Sequence, residues 1–375
     1  MQVFRRGDHG PAVAEIRAKL ARLHLLAPDA GERDEFDEAT DRAVRAFQQQ
    51  RGLRVDGVVG GDTYRSLEGA HWRLGDRLLS YTAGHPFVGD DVAALQQRLL
   101  DMGFDAGRCD GIFGEQTEAA VREFQRNVGL TGDGTVGPAT LKALDMLRRT
   151  VTGGSPSEQR EEERLRRGSG TLSGRTIVLD PGHGGDDLGA CAHDLAESEI
   201  AYDLATRIEG RLGALGVHTL LTRGRDSCPD DATRVAFAND LGVDLFLSLH
   251  TDAALSPHPC GMATYYYGAQ LPHQVVSSPV GERLATLVQR EVVTRTDLLD
   301  ARTHPKAWQL LRGTRMPAVR MDVGYITNAH DAARLRAAEF RDAVAEAVAA
   351  AVQRLYLPDD TLQTGQFRIP AALIG

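Results

Sequence analysis

The 375-residue sequence predicts a multidomain protein in which two small three-helix all-α modules precede an α/β domain, whose largely parallel central sheet is covered by helices. Three observations support this prediction: a tandem repeat in the first part of the chain, a change of composition near residue 150, and an alternation of β-branched runs with helical patterns after it. We place the boundaries at 1–80 and 81–149 for the two modules, 150–174 for a linker, 175–357 for the α/β domain and 358–375 for a carboxyl-terminal tail.

Composition and charge indicate a globular protein and disfavour some classes of binding partner. Hydrophobic residues make up 42% and charged residues 25% of the chain, as in ordinary globular proteins, and the net charge of −9 does not favour a nucleic-acid or anionic-membrane partner. No run approaches the roughly 20 apolar residues of a membrane span, so we expect no integral membrane segment. The amino terminus has no signal-peptide pattern, so we expect a cytoplasmic protein, with a non-classical export route left open.

The tandem repeat pairs two segments of the first half at a constant offset of 77 residues. The segments are FDEATDRAVRAFQQQRGLRVDGVVGGDTYRSL from Phe36 and FGEQTEAAVREFQRNVGLTGDGTVGPATLKAL from Phe113. Apolar residues at helical spacing precede each copy, and an Asp-Gly dipeptide in each predicts a tight turn. Each unit is therefore predicted to fold as helix, loop, helix, turn and short helix.

The pattern AVxxFQxxxGLxxDGxxGxxT in these repeats resembles the peptidoglycan-binding domain family over about 7–67 and 89–144. The resemblance implies that the modules bind peptidoglycan fragments or precursors. The alternative is that they are helical scaffolds or protein-docking surfaces.

The linker and the tail differ in composition from their neighbours. The linker is rich in Gly and Ser at both ends, and Ser155, Pro156 and Glu158 occupy the positions of an N-cap, a first-turn proline and a capping-box acid. Its charged middle is therefore predicted to form a short solvated helix. We interpret the tail as a partner-facing or modifiable segment, because Thr361 and Thr364 lie in a polar stretch after a helix-ending proline. An ordinary frayed terminus is the alternative.

Apolar β-branched runs in the second half predict the strands of the sheet. They alternate with helical patterns, which is typical of a largely parallel sheet covered on both faces. The predicted strands are Arg175–Asp180, Val217–Thr222, Asp244–His250, Met262–Tyr267 and Ala318–Val323, and the helices include Glu197–Leu215 and Glu339–Leu355.

Three candidate metal ligands fall at the ends of these elements. His183 follows the first strand, Glu197 begins the next helix and His250 ends the third strand, and ligands of open α/β sheets gather at the carboxyl ends of strands. Two imidazoles and one carboxylate with an open position are typical of catalytic zinc, which lowers the pKa of a bound water toward about 7. Glu199 is the competing carboxylate, but it lies about 200° round the helix from Glu197.

The second half resembles the zinc-dependent N-acetylmuramoyl-L-alanine amidases of type 3 over roughly 175–357. The matching pieces are LDPGHGG, the helix beginning at Glu197, LLTRGRD, TRVAFAND, DLFLSLHTDA, Arg302 and MPAVRMDVGYITNAHD. The resemblance implies that His183, Glu197 and His250 bind zinc, and that zinc-activated water cleaves the amide between the lactyl group of N-acetylmuramic acid and L-alanine.

The family carries a proton-moving glutamate where this sequence has Asp322. Asp322 is therefore the predicted catalytic residue, but its side chain is one methylene, or roughly 1.5 Å, shorter. Because proton transfer needs heavy-atom distances of about 2.6–3.2 Å, the sequence predicts reduced or lost activity. The remaining matched residues are expected mainly to hold loops and helix ends, and only secondarily to contact substrate: Arg223, Arg234, Asn239 and Arg302.

Two functional hypotheses follow from these residues. The first is a zinc amidase that acts on or recognises peptidoglycan or its precursors. The second is a catalytically weak or inactive cytoplasmic regulator of precursor synthesis, which binds wall precursors or a wall-biosynthesis protein partner. The order of modules before an amidase-like domain, with no export signal, resembles an actinobacterial group associated with such regulation.

Overall fold

A computed structural model describes residues 3–27, 33–147, 156–167, 171–271 and 274–356 of the chain. It confirms the predicted class, with helical modules first and an α/β domain after them. The predicted tail, 358–375, and the Gly- and Ser-rich parts of the linker at 150–155 and 168–170 lie outside the described residues. None of the helices within the described ranges has the length and apolarity needed to cross a membrane.

The two repeats fold into similar helical modules. Module 1 comprises α1 (Pro11–Arg22), α2 (Glu38–Gln50) and α3 (Gly61–Gly69), and module 2 comprises α4 (Asp90–Asp101), α5 (Glu115–Asn127) and α6 (Pro138–Met146). In each module the apolar residues at helical spacing face inward. Module 1 has a hydrophobic core of its own, formed by Val13, Ile16, Leu20, Phe36, Val44, Phe47, Val59 and Leu67.

A buried glutamine fixes the Asp-Gly turn of each module. In module 2 the amide of Gln125 donates to Asp133 Oδ1 (2.8 Å) and to Thr140 Oγ1 (3.1 Å), while its oxygen accepts from the Gly134 N–H (2.8 Å). One side chain therefore connects the middle helix, the turn and the first turn of the last helix. The same set of contacts recurs around Gln48 and Gln96.

The charged middle of the predicted linker forms helix α7 (Pro156–Arg167). The expectation that this helix is solvated is wrong for one of its faces. The carboxylate of Glu161 accepts from Arg108 of module 2 (3.0 Å) and from the Ser278 hydroxyl of the α/β domain (2.7 Å), and Leu165 packs against that domain's core. The helix lies between module 2 and the α/β domain because these polar and apolar contacts hold it there, although most of its residues are charged.

The α/β domain contains the predicted strands and several that the pattern missed. The strands are β1 (Thr176–Pro181), β2 (Cys191–Ala192), β3 (Leu195–Ala196), β4 (His218–Leu221), β5 (Leu245–Asp252), β6 (Met262–Leu271), β7 (Gln274–Ser277), β8 (Asp300–Lys306) and β9 (Ala318–Tyr325). The helices are α8 (Glu197–Ala214), α9 (Asp231–Leu241), α10 (Pro279–Arg295), α11 (Gln309–Gly313), α12 (Ala329–Arg336) and α13 (Ala338–Leu355).

The main sheet has the order β4-β1-β5-β9-β6-β7, with β8 pairing to β6. The pairs β4/β1, β1/β5 and β5/β9 are parallel, so the carboxyl ends of β1, β5 and β9 meet at one edge. β6 runs antiparallel to β9. A pair of register partners in this sheet, His250 on β5 and Asp322 on β9, lies at that edge.

Different layers cover the two faces of the sheet. Helices α8, α10 and α13 cover one face, where they form a single apolar cluster with the sheet. On the other face, apolar residues of module 2 join those of the sheet, such as Phe246 and Tyr267, in one continuous cluster. The Tyr267 hydroxyl also donates to the Cys109 carbonyl (3.2 Å). Module 2 therefore shares its hydrophobic core with the α/β domain.

Module 1 contacts the rest of the chain through polar groups. The Ala307 N–H donates to the Gly52 carbonyl (3.0 Å), and the Lys306 ammonium donates to the Leu53 carbonyl (3.4 Å). Gly52 has φ of 64°, and a Cβ there would lie 3.1 Å from the Gly268 carbonyl oxygen, so glycine allows this close approach.

Candidate metal centre

The structure brings His183, Glu197 and His250 together at the carboxyl edge of the sheet. His183 lies in the loop after β1, Glu197 is the first residue of α8, and His250 lies near the end of β5. One ligand atom from each of the three residues lies within 4.8 Å of the others. These are the three residues predicted from the sequence to form one site.

The Glu197 carboxylate lies between the two imidazole rings. Its Oε2 is 3.2 Å from His183 Nε2 and its Oε1 is 2.9 Å from His250 Nδ1. The backbone N–H groups of Ala190 and Thr251 donate to the same carboxylate at 3.0 and 3.2 Å. The carboxylate is therefore fixed in place, and two nitrogens and one oxygen converge in a set of donors that could hold a metal ion.

The electrostatics of the cluster favour a charged Glu197 carboxylate and a neutral His250 ring, but not a neutral His183 ring. Burial alone would raise the pKa of the Glu197 carboxyl, but hydrogen bonds with His183 and His250 hold it well below its usual range. Burial lowers the pKa of His250, which favours the neutral ring. The hydrogen bond to Glu197 raises the pKa of His183 in the metal-free protein, so metal and proton compete for this ring.

Asp187 is a site residue that the sequence analysis missed. Its Oδ2 is 2.8 Å from His183 Nδ1, which leaves Nε2 directed toward Glu197. Carboxylates in this position fix the tautomer and orientation of metal-binding histidines. The signal that could have found it is an aspartate four residues after a histidine in a glycine-rich loop. Gly189 permits the tight packing, because a Cβ there would lie 2.6 Å from His183 Cδ2.

Arg223 and Arg234 hold the loop that carries His183. The Arg234 guanidinium donates to Asp180 Oδ1 (2.7 Å) and to the His183 carbonyl (2.8 Å). Arg223 donates to the carbonyls of Gly182 (2.9 Å) and Ser198 (3.0 Å), and both arginine residues are at most 5% exposed. Their described contacts correspond to the first of the two predicted roles, the fixing of loops and helix ends.

Three other residues considered from the sequence make their described contacts elsewhere. Asn239 donates to the Gly313 carbonyl (2.9 Å) and so connects α9 to the segment before β9. Arg302 is exposed on β8 with φ of 70°. Glu199 is exposed and pairs with Arg225, as expected for a side chain that does not face the metal ligands.

Asp322 lies beside His250 but is engaged by an arginine. Its carboxylate accepts from Arg320 Nε at 2.7 Å and from Arg320 Nη2 at 3.3 Å. The Asp322 side chain is 4% exposed and that of Arg320 is 25% exposed. Burial raises the pKa of the Asp322 carboxyl, and the adjacent Arg320 opposes this shift. Arg320 was not among the residues predicted from the sequence, although residues two apart on a strand share a face.

Comparisons with known proteins show which families this chain resembles. The profile of the N-acetylmuramoyl-L-alanine amidase family matches residues 177–354, and that of a peptidoglycan binding domain matches residues 9–67 and 88–144. The N-acetylmuramoyl-L-alanine amidase CwlM of Mycobacterium tuberculosis is 48% identical over 368 residues, which cover 94% of this chain and 89% of that protein.

Two further relatives match the second half of the chain. The N-acetylmuramoyl-L-alanine amidase LytC of Bacillus subtilis is 35% identical over 175 residues, which cover 47% of this chain and 34% of that protein. The solved structure of the N-acetylmuramoyl-L-alanine amidase AmiC2 of Nostoc punctiforme has 29% identity and a TM-score of 0.44, and the match covers 48% of this chain and 97% of that one.

Proposed function

Because this chain belongs to the N-acetylmuramoyl-L-alanine amidase family, we propose that it is a zinc-dependent hydrolase of the amide that joins the lactyl group of N-acetylmuramic acid to L-alanine. The observation that carries the proposal is the convergence of ligand atoms from His183, Glu197 and His250 within 4.8 Å. The substrate is peptidoglycan or a precursor that contains the muramoyl–L-alanine bond. The two peptidoglycan-binding modules support this substrate class.

The residues present fit a zinc ion. His183 would bind through Nε2, His250 through Nδ1 and Glu197 through its carboxylate, because these atoms face one another and Asp187 engages the remaining nitrogen of His183. Zinc bound there would supply Lewis acidity and activate water near neutral pH. The protein contributes a rigid donor set, since Arg223 and Arg234 hold the His183 loop.

Asp322 is the residue that we assign to proton transfer. It is buried in register with His250, and its Oδ1 and Oδ2 are the atoms that would accept a proton from water and return it to the leaving amine. Arg320 engages both oxygens, and the side chain is short, so we expect a slow hydrolase.

Metal analysis combined with an activity assay tests the proposal. The purified chain should carry about one zinc and release L-alanyl peptide from a muramoyl-L-alanyl peptide, and His250→Ala should lose both zinc and activity. His218→Ala is the matched control, because His218 is exposed at the amino end of β4, away from the strand ends that form the site. A wild-type chain without zinc after reconstitution at neutral pH would contradict the metal site.

The same assay separates hydrolysis from the regulatory alternative. A chain that binds zinc and the muramoyl peptide without releasing product would favour a cytoplasmic regulator that recognises precursors and docks on a wall-biosynthesis protein. None of the contacts among the described residues specifically favours that alternative, so hydrolysis is the function that we propose.

A further inference from the structure

The ion pair between Arg320 and Asp322 occupies the carboxylate that the proposed reaction needs. Both residues are on β9, two positions apart, and their side chains share the face of the sheet on which His250 lies. Arg320 donates to both carboxylate oxygens, at 2.7 and 3.3 Å. A buried carboxylate held at two points by a planar guanidinium has little freedom to turn toward a reacting water.

Surrounding groups fix the position of the guanidinium. Its central carbon lies 4.8 Å from the centre of the Trp308 ring, and Trp308 packs against Tyr265 with the ring centres 4.7 Å apart. Trp308 directly follows Ala307, whose N–H donates to the Gly52 carbonyl of module 1. Arg320 is therefore held in place by an aromatic pair, and that pair is itself anchored to another module.

We propose that Arg320 is a positioning residue that restrains hydrolysis by holding the Asp322 carboxylate away from proton transfer at the metal site. The proposal rests on the proposed amidase function. General acid–base catalysis requires the carboxylate to come within about 2.6–3.2 Å of the proton it accepts. An aspartate has a short side chain, so it cannot keep both hydrogen bonds to Arg320 and also extend toward the substrate.

Replacement of Arg320 tests the restraint directly. Arg320→Met keeps a flexible apolar side chain against Trp308 and removes the N–H groups that donate to Asp322. We expect kcat to rise at least about tenfold, which is part of the 10²–10⁴-fold rate increase that acid–base catalysis contributes. KM and the zinc content should stay unchanged. Arg320→Lys keeps the charge without the planar fork, so its kcat should lie between that of the wild type and that of Arg320→Met. Arg290→Met is the matched control, because Arg290 is half exposed and pairs with Glu291 on α10.

Three outcomes in this series would overturn the proposal. An unchanged kcat for Arg320→Met would mean that the ion pair does not limit proton transfer. A lower kcat with a higher KM would make Arg320 a substrate contact instead. If no variant hydrolyses the muramoyl peptide although zinc is bound, the proposed amidase function fails, and the restraint fails with it.

A readout without zinc tests the ion pair separately. Thermal unfolding of the metal-free protein is measured for the wild type, Arg320→Met, Asp322→Asn and the double variant. If the two residues are coupled, the decrease in Tm of the double variant should be smaller than the sum of the decreases in the two single variants. Additive losses would show that Arg320 and Asp322 do not act as a pair, which would overturn the proposal whatever the activity.

Discussion

One methylene at position 322 decides how far the carboxylate that we propose for proton transfer reaches. We predict that Asp322→Glu raises amidase activity by about 10-fold to 100-fold, because the longer side chain extends roughly 1.5 Å further toward the substrate. Product release is measured with a muramoyl-L-alanyl peptide, and zinc content is measured in parallel and should not change. Asp322→Asn is the control, since it keeps the shape but cannot accept the proton. A zinc-bound glutamate variant no faster than the wild type would show that reach is not the limit.

Asp187 contacts Nδ1 of His183, one of the three proposed zinc ligands, at 2.8 Å. We predict that Asp187→Asn lowers zinc affinity by about 10-fold to 100-fold, the usual effect of losing such a partner. Competition with a chromogenic chelator measures this affinity. Asp186→Asn is the matched control. Asp186 is the exposed residue next to Asp187, and its replacement removes the same charge from the same loop. Equal affinities for both variants would mean that only the loop's overall charge matters.

The donor set could be predicted from the sequence because each ligand lies at the end of an element with a clear pattern. The positions of Asp187 and Arg320 at the site could not be predicted from the sequence. Asp187 reaches His183 only because the chain turns back through two glycines with positive φ, Gly184 and Gly185. Arg320 could have turned to solvent, and what directs it inward is Trp308, which comes from a different element.

At the scale of the element, the buried glutamines explain why such short helices pack in a fixed order. We predict that Gln125→Leu destabilises the protein by about 1–3 kcal/mol, because the buried groups of Gly134 and Thr140 lose their partner and the exposed Asp133 loses a hydrogen bond. Urea unfolding measures the change. Gln97→Leu is the control, since Gln97 is only partly buried and pairs with Asp101 on its own helix. Similar losses for both variants would mean that the glutamine does not connect the turn to the helices.

The strands illustrate which elements a sequence pattern can predict. The five predicted strands are present because apolar or β-branched residues dominate each of them, although the last also contains Arg320 and Asp322. β8 escaped prediction because it has the sequence DARTHPK, with a proline and several polar residues, which suits a strand at the rim of a sheet. The direction of β6 could not be predicted, because the same apolar sequence pattern occurs in strands that are parallel and in strands that are antiparallel to their neighbour.

At the scale of the whole molecule, the two modules differ in how they are attached. We predict that a fragment covering residues 72–356 folds, because module 1 has its own core and joins the rest through polar contacts such as the Arg51–Asp90 ion pair. A fragment covering 156–356 should aggregate, because the loss of module 2 exposes Phe246 and Tyr267 on one face of the sheet. Size-exclusion chromatography and thermal unfolding distinguish these outcomes. A monomeric, cooperatively unfolding 156–356 fragment would contradict the shared core.

This shared core also constrains how the protein can change over generations. A recombination event between residues 147 and 171 would separate the two halves of one apolar interior, and the descendants would inherit neither half in a stable form. An event near residue 70 would separate two bodies that meet through polar contacts such as the Arg51–Asp90 ion pair and the hydrogen bond between the Ala307 N–H and the Gly52 carbonyl. We therefore expect that a lineage can lose or replace module 1, whereas module 2 and the α/β domain should be inherited together and should accumulate mutually compensating substitutions.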